Sequence, residues 1–208
     1  REAKYKEARN KIVHDLSDAL VSSSPLNEFY GLVHTSLAQI MPVDNLCIAL
    51  YNKEKKSFDC AYCARADGRL VRKQTLICGM LEFIMKKNKP VLLSKDEFQA
   101  IIRKNKLEYS GKITEWWMGI PMRAGKDYLG IITLTANSED RKFDSIALET
   151  AILVSNLVAV AISKKNTEES LAQQLDLLNS LLDNFPDLIY VKDKDSRFLR
   201  FSKTYAKR

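Results

Sequence analysis

The chain is short of the residues that build metal centres, staple small secreted folds and break helices. It has two histidines, His14 and His34, and four cysteines, Cys47, Cys60, Cys63 and Cys78, in 208 residues. With both histidines near the N-terminus, a His-ligated haem is disfavoured. Four scattered cysteines are too few for a disulfide scaffold and fit a reducing cytoplasm. No uninterrupted apolar run reaches the roughly 20 residues that cross a bilayer. The longest greasy stretch, 147–162, is broken by Glu149, Ser155 and Asn156, so no direct membrane contact is expected. No signal peptide is recognisable. Because the chain begins with Arg1 rather than Met, the expectation is a piece cut from a longer protein, with any anchor outside it. The glycines form no Gly-x-x-x-x-Gly-Lys, and Gly119 to Gly125 precedes no helix, so a phosphate-binding loop is excluded. From Ile131 to Phe185 there is neither glycine nor proline, which leaves room for one very long helix.

What is present is the composition of a soluble globular protein, 46% apolar and 28% charged. The net charge of +7 sits in short patches at Lys53–Lys56, Arg69–Lys73, Lys86-Lys87 and Arg103–Lys106. These read as turns and helix ends. No nucleic-acid-binding motif accompanies them, so solvated surface is the better reading and no nucleic-acid partner is expected.

Apolar residues Tyr5, Ala8, Ile12, Leu16, Ala19 and Leu20 recur at three and four, an amphipathic helix over 2–22. Pro25 opens a second helix over 26–41, closed by Pro42. Leu46–Tyr51 and Phe58–Ala64 read as a hairpin around the turn at 52–56. Helical spacing follows at 78–87, a strand stub at Val91–Leu93 and a short helix at 95–104. Trp116–Ala124 and Tyr128–Thr135 read as two strands around Gly125-Lys126-Asp127. Asp144 is a candidate cap for a helix that could reach Asn184, about 60 Å at 1.5 Å per residue. Its first half, 146–162, is apolar nearly all round and must be buried. The stretch 163–170 is polar. Leu171, Leu175, Leu178 and Leu182 then form a two-heptad seam, read against the simpler alternative of a helix lying on its own domain. Tyr190 to Phe201 is strand, turn, strand, too little to be stable alone, so the chain is expected to end inside a second domain.

Cys60-x-x-Cys63 has the look of half a metal site. Residues three apart on a regular strand point to opposite faces, so the pair could chelate only where the strand breaks. Zinc also wants four ligands, and no metal site is expected. A cysteine thiolate is favoured near a helix N-terminus, where Cys78 falls, although a packed side chain is the simpler reading. His14-Asp15 resembles a phosphoacceptor helix, but no ATP-binding domain follows it. Asp96-Glu97 is an acidic pair without a second carboxylate to work with.

The order of elements, with Trp117-Met118-Gly119-Ile120-Pro121-Met122, Leu129-Gly130-Ile131-Ile132-Thr133-Leu134 and Arg141-Lys142-Phe143-Asp144, resembles a GAF domain over roughly 10–163. Asp183-Asn184-Phe185-Pro186-Asp187 and Tyr190-Val191-Lys192-Asp193 resemble the start of a PAS domain, which often carries Asn where this chain has Ser202. The resemblance implies an α+β fold: a central antiparallel sheet flanked by helices, with the terminal helices on one face and a ligand pocket on the other, a long C-terminal helix, then a PAS-type hairpin. The Asn-Lys-Phe-Asp-Glu motif of cyclic-nucleotide-binding GAF domains is missing. The expected divisions are a signalling helix at 1–22, the GAF domain at 23–163, a coiled-coil-like linker at 164–184 and a truncated PAS start at 185–208. The pocket walls would come from Tyr62, Cys78, Phe98, Ile102, Tyr109, Trp116, Met118 and Thr133, which otherwise simply fill the core. The expected role is a non-catalytic, cytoplasmic sensory module of a histidine kinase or diguanylate cyclase. It would form a homodimer through the terminal helices, bind a small molecule and relay signal through the leucine seam. No cofactor is indicated. The alternatives are a structural dimerisation spacer and a thiol-dependent GAF-related reductase.

Overall fold

The computed structural model describes residues 2–22, 25–65, 75–76, 79–109, 111–140, 142–184 and 190–201. Among them are five helices and eight strands. In chain order these are α1 (Glu2–Val21), α2 (Leu26–Ile40), β1 (Asn45–Asn52), β2 (Ser57–Ala64), β3 (Thr75–Leu76), α3 (Gly79–Lys87), β4 (Val91–Ser94), α4 (Lys95–Asn105), β5 (Trp116–Ala124), β6 (Asp127–Ala136), α5 (Ser145–Asn184), β7 (Tyr190–Lys192) and β8 (Phe198–Phe201). The chain divides into two compact units, Arg1–Ser163 and Lys164–Arg208.

In the first unit the strands form one antiparallel sheet in the order β3-β2-β1-β6-β5-β4. Both faces are covered. On one, Ile12 and Leu16 of α1, Phe29, Tyr30, Val33 and Leu37 of α2, and Ala147, Ala151, Val154 and Val158 of α5 pack on Leu46, Ile48, Met118, Ile120, Ile132 and Leu134. On the other, Met80, Leu81 and Ile84 of α3 and Phe98 of α4 pack on Ala49, Phe58, Trp117 and Ile131. Double coverage explains why β1 and β6 lack apolar/polar alternation. The two-residue β3 pairs with Phe58 and Asp59 and is too short to leave a periodic signal.

Side-chain caps fix two helix starts. Asp144 Oδ1 accepts from Ala147 N at 2.7 Å, the expected cap of α5. At α4, Ser94 Oγ accepts from Glu97 N while Glu97 Oε2 accepts from Ser94 N at 2.8 Å, a reciprocal capping box. Glu97 is therefore a helix-start residue. By length and composition alone α5 could cross a bilayer, but half of the qualifying stretch is buried inside the fold, as in a core helix.

In the second unit, Leu171 is 57% exposed, Leu175 44% and Leu178 47%. The β7–β8 hairpin holds Lys192 Nζ 4.4 Å from the Phe198 ring centroid and 5.4 Å from that of Tyr190. Asp193 Oδ1 accepts from Asp195 N and Arg197 N and shapes the turn.

Two glycines are required for different reasons. Gly125 has φ +59 and fills the first turn position between Ala124 and Asp127, where a two-residue hairpin needs positive φ. Gly130 is needed for space: a Cβ there would lie 2.0 Å from the Ala49 carbonyl oxygen and 2.9 Å from Leu50 Cα. Backbone on both sides of that contact means the strands must separate. Gly125→Ala is expected to cost about 1 kcal/mol and Gly130→Ala about 3 kcal/mol or more. Urea denaturation midpoints of the two variants check the ranking; equal losses would contradict it.

Candidate functional site

The irregularity that organises the candidate site lies in β2. Ile48 pairs with Tyr62 and Ala49 with Cys60, so Ala61 has no partner and forms a bulge. Ala61 and Tyr62 both pack on the α1/α2/α5 side, which turns Cys60 and Cys63 to the same, opposite side. Cys63 lies directly across from Cys47 on β1. The expectation that Cys60 and Cys63 point apart therefore fails, at the kind of strand break that had been named as its exception. The Sγ atoms of Cys47, Cys60 and Cys63 all lie within 4.8 Å of one another. Cys60 is buried, while Cys47 and Cys63 are half-buried.

This proximity links the protonation of the three thiols to one another. Hydrogen bonds with Cys47, then with Cys60, hold Cys63 well below the usual thiol range. Burial opposes the shift and the nearby charge of Arg65 adds to it. Hydrogen bonds with Cys60 and Cys63, reinforced by burial, push Cys47 up. The cluster thus has one thiolate-favouring sulfur, Cys63, supported by two neighbours that keep their protons. It can attack an electrophile, form a disulfide or bind a soft ion.

The predicted pocket residues divide between the two faces. Phe98, Ile102 and Tyr109 join the α3/α4 side, and Thr133, paired with Cys47, shares the thiols' face. Phe98 packs its ring on Tyr109 at 5.0 Å and on Trp117 at 5.4 Å. Tyr62, Trp116 and Met118 belong to the α1/α2/α5 side, so they do not share a cavity wall with the first four. On β5 this follows from alternation, because Trp116 and Met118 have the opposite parity to Trp117. Cys78 lies outside the described residues. Two residues that sequence reasoning passed over stand on the thiol face or beside it. Cys47, inside an apolar run, read only as strand. Tyr128 packs edge-on to Tyr51 at 6.0 Å, and its buried hydroxyl has no partner among the described residues. Only the three-dimensional pairing of β1 with β2 and β6 reveals either.

On the helical side, Tyr62 O–H lies 3.4 Å from His34 Nδ1 and donates to it when the imidazole proton is on Nε2. The Tyr62 ring is also 6.1 Å from that of Tyr30. His14, the other histidine, places Nδ1 3.0 Å from Asp18 Oδ2 on the surface of α1.

No protein-family model matches the chain, and no curated protein matches it. Solved structures do match. The GAF domain of a phosphoenolpyruvate-protein phosphotransferase from Coxiella burnetii superposes with a TM-score of 0.61 at 14% identity, covering 79% of this chain and 98% of that one. The chain has the GAF fold. The GAF domain of a two-component sensor histidine kinase from Bacillus halodurans matches with a TM-score of 0.54 at 11% identity, over 70% of this chain and 98% of that one. Free methionine-R-sulfoxide reductase from Neisseria meningitidis, solved with its substrate, matches with a TM-score of 0.58 at 8% identity, over 77% and 91%. On the GAF fold of this chain the thiol cluster occupies the sheet face turned away from the terminal helices.

Burial holds His34 below its ordinary value of 6.5, so the unfolded chain takes up a proton there before the folded one does. The contribution of His34 is complete above pH 6.5, declines as the pH falls through that value, and levels off below the folded-state pKa. Urea midpoints at about pH 7.5 and pH 5.5 should differ less for His34→Gln than for the parent; an unchanged difference would remove His34 as a cause.

Proposed function

We propose that the chain is a sensory and regulatory module of a larger cytoplasmic signal-transduction protein, either a histidine kinase or a diguanylate cyclase. In this reading it binds a small molecule or assembles as a homodimer, and it relays change through α5 into a PAS domain that begins near 185. The observation that carries the reading is the double character of α5. Its first half is core, with Val154 and Val158 fully buried, whereas Leu171, Leu175 and Leu178 stand open to solvent along one helix stripe. Leu153 and Val160, two turns apart on the first half, are exposed as well. Leu171, Leu175 and Leu178, continued by the half-buried Leu182, repeat at four, three, four, a stripe that a second copy of the same helix would cover. A GAF domain from a sensor histidine kinase among the structural matches agrees with this setting. A parallel helix pair with two packings of different ligand affinity is a sufficient relay. A structural spacer would share the dimer and lack the ligand, which native mass spectrometry of freshly purified protein would reveal.

Burying the open part of each seam leucine is worth roughly 1 kcal/mol. Replacing Leu171 and Leu178 by Ser in both copies therefore removes about 4 kcal/mol and weakens the dimer about a thousandfold. Light scattering at high concentration should give a dimer for the parent and a monomer for the double variant. A monomeric parent would sink the proposal.

One observation favours a second reading, a thiol-dependent reductase of a small oxidised substrate: three thiols converge on one sheet face. The matching Neisseria enzyme reduces free methionine-R-sulfoxide. If this chain does likewise, dithiothreitol-dependent consumption of that compound occurs with the parent and falls at least tenfold in Cys63→Ser. No turnover by the reduced parent would dismiss this reading.

A further inference from the structure

From the convergence of Cys47, Cys60 and Cys63 we infer that the chain holds a thiophilic d10 metal ion, Zn2+ or Cu(I), on a three-thiolate site between β1 and β2. The donor atoms are all sulfur, and soft thiolates select these ions over Mg2+ and Ca2+. Sulfurs bonded to zinc at about 2.3 Å in tetrahedral array lie about 3.8 Å apart. The three Sγ atoms already lie within 4.8 Å of one another. Closing on an ion therefore takes an adjustment of at most about 1 Å, the scale of a side-chain rotation.

The scaffold suits the task. Cys47 and Cys63 are paired residues on neighbouring strands, and the bulge at Ala61 brings Cys60 onto their face. The backbone ladder holds all three, and mobile loops contribute none of them. Burial is graded in the useful direction, with Cys60 buried and Cys47 and Cys63 half-buried, so one ligand anchors while two remain reachable by an arriving ion. Binding displaces the thiol protons of Cys47 and Cys60 to solvent, and the three thiolates then carry three negative charges. A divalent ion leaves one uncompensated, and Arg65, close enough to Cys63 for its charge to act there, offsets it. No fourth His, Cys, Asp or Glu among the described residues joins the cluster. The site is thus trigonal for Cu(I), or open to a water or exogenous ligand for Zn2+. This inference is independent of the sensory reading, because it requires neither a dimer nor a relay.

The test uses the full chain, reduced, stripped of metal and titrated with Cd2+ as a spectroscopic probe and Zn2+ as the candidate ion. A thiolate-to-cadmium charge-transfer band should saturate at one equivalent, and elemental analysis after desalting should return one Zn2+ per chain. Cys63→Ser should weaken Cd2+ binding at least tenfold, and Cys47→Ser likewise. Far-UV circular dichroism reports whether each variant is folded, and the parent's own stoichiometry does not depend on any variant. A reduced parent that gives no band at one equivalent overturns the inference. So does binding that is unchanged in Cys63→Ser.

Discussion

The first unit depends on one seam, the pairing of β1 with β6. It joins segments far apart in the chain, with Asn45 Nδ2 donating to Thr135 Oγ1 at 2.6 Å across 90 residues. The β1–β2 hairpin lies on one side of the seam and the β6–β5–β4 ladder on the other. Loop closure over that distance must be offset by close packing along the whole strand. The backbones approach so tightly at Ala49 and Gly130 that no side chain fits between them. Both cores are built across this seam, since Leu46 and Ile48 meet Ile132 and Leu134 on one face while Ala49 meets Ile131 on the other. A fault at Gly130 would therefore loosen helical layer and thiol face together.

The parts of this fold that obey a local rule could be read from the residues. Asp144 before a glycine-free apolar run marks a helix start, and it caps α5 as such a residue should. Gly125 between two strand-like runs marks a turn. Continuous apolar stretches at 46–51 and 129–134 mark strands covered twice. What could not be read is whatever depends on pairing. A bulge is a count of two against one between strands, and nothing in Cys60-Ala61-Tyr62-Cys63 announces which residue is skipped. Applied to a regular strand, the alternation rule separates the two cysteines. One unpaired alanine reverses that result and adds Cys47, which had no reason to stand out in Leu46–Tyr51. The candidate pocket residues divided for the same reason: Trp116, Met118 and Tyr62 are aromatic or polarisable as a pocket wall would be, but their strand parity sends them to the helical face. Glu97 is a different case: half of an acidic pair with no second carboxylate to work with, it is used as a helix cap.

The reductase and metal readings compete for the same electrons. A thiolate that attacks an oxidised substrate must be free and reachable, and it needs a second thiol to resolve the covalent intermediate by forming a disulfide. A thiolate bound to a metal ion is neither free nor readily oxidised. Cys63 serves either role, since its neighbours donate to it and Arg65 lies close. Cys60 discriminates between them. A resolving thiol must move and meet reductant, whereas Cys60 is 1% exposed and fixed beside a bulge in a paired strand. That placement suits a ligand better than a shuttle. The same rigidity would let the ion act on the fold: binding to a preformed triangle on β1 and β2 adds its free energy to the folded state alone, and it does so next to the strand pair on which both cores rest.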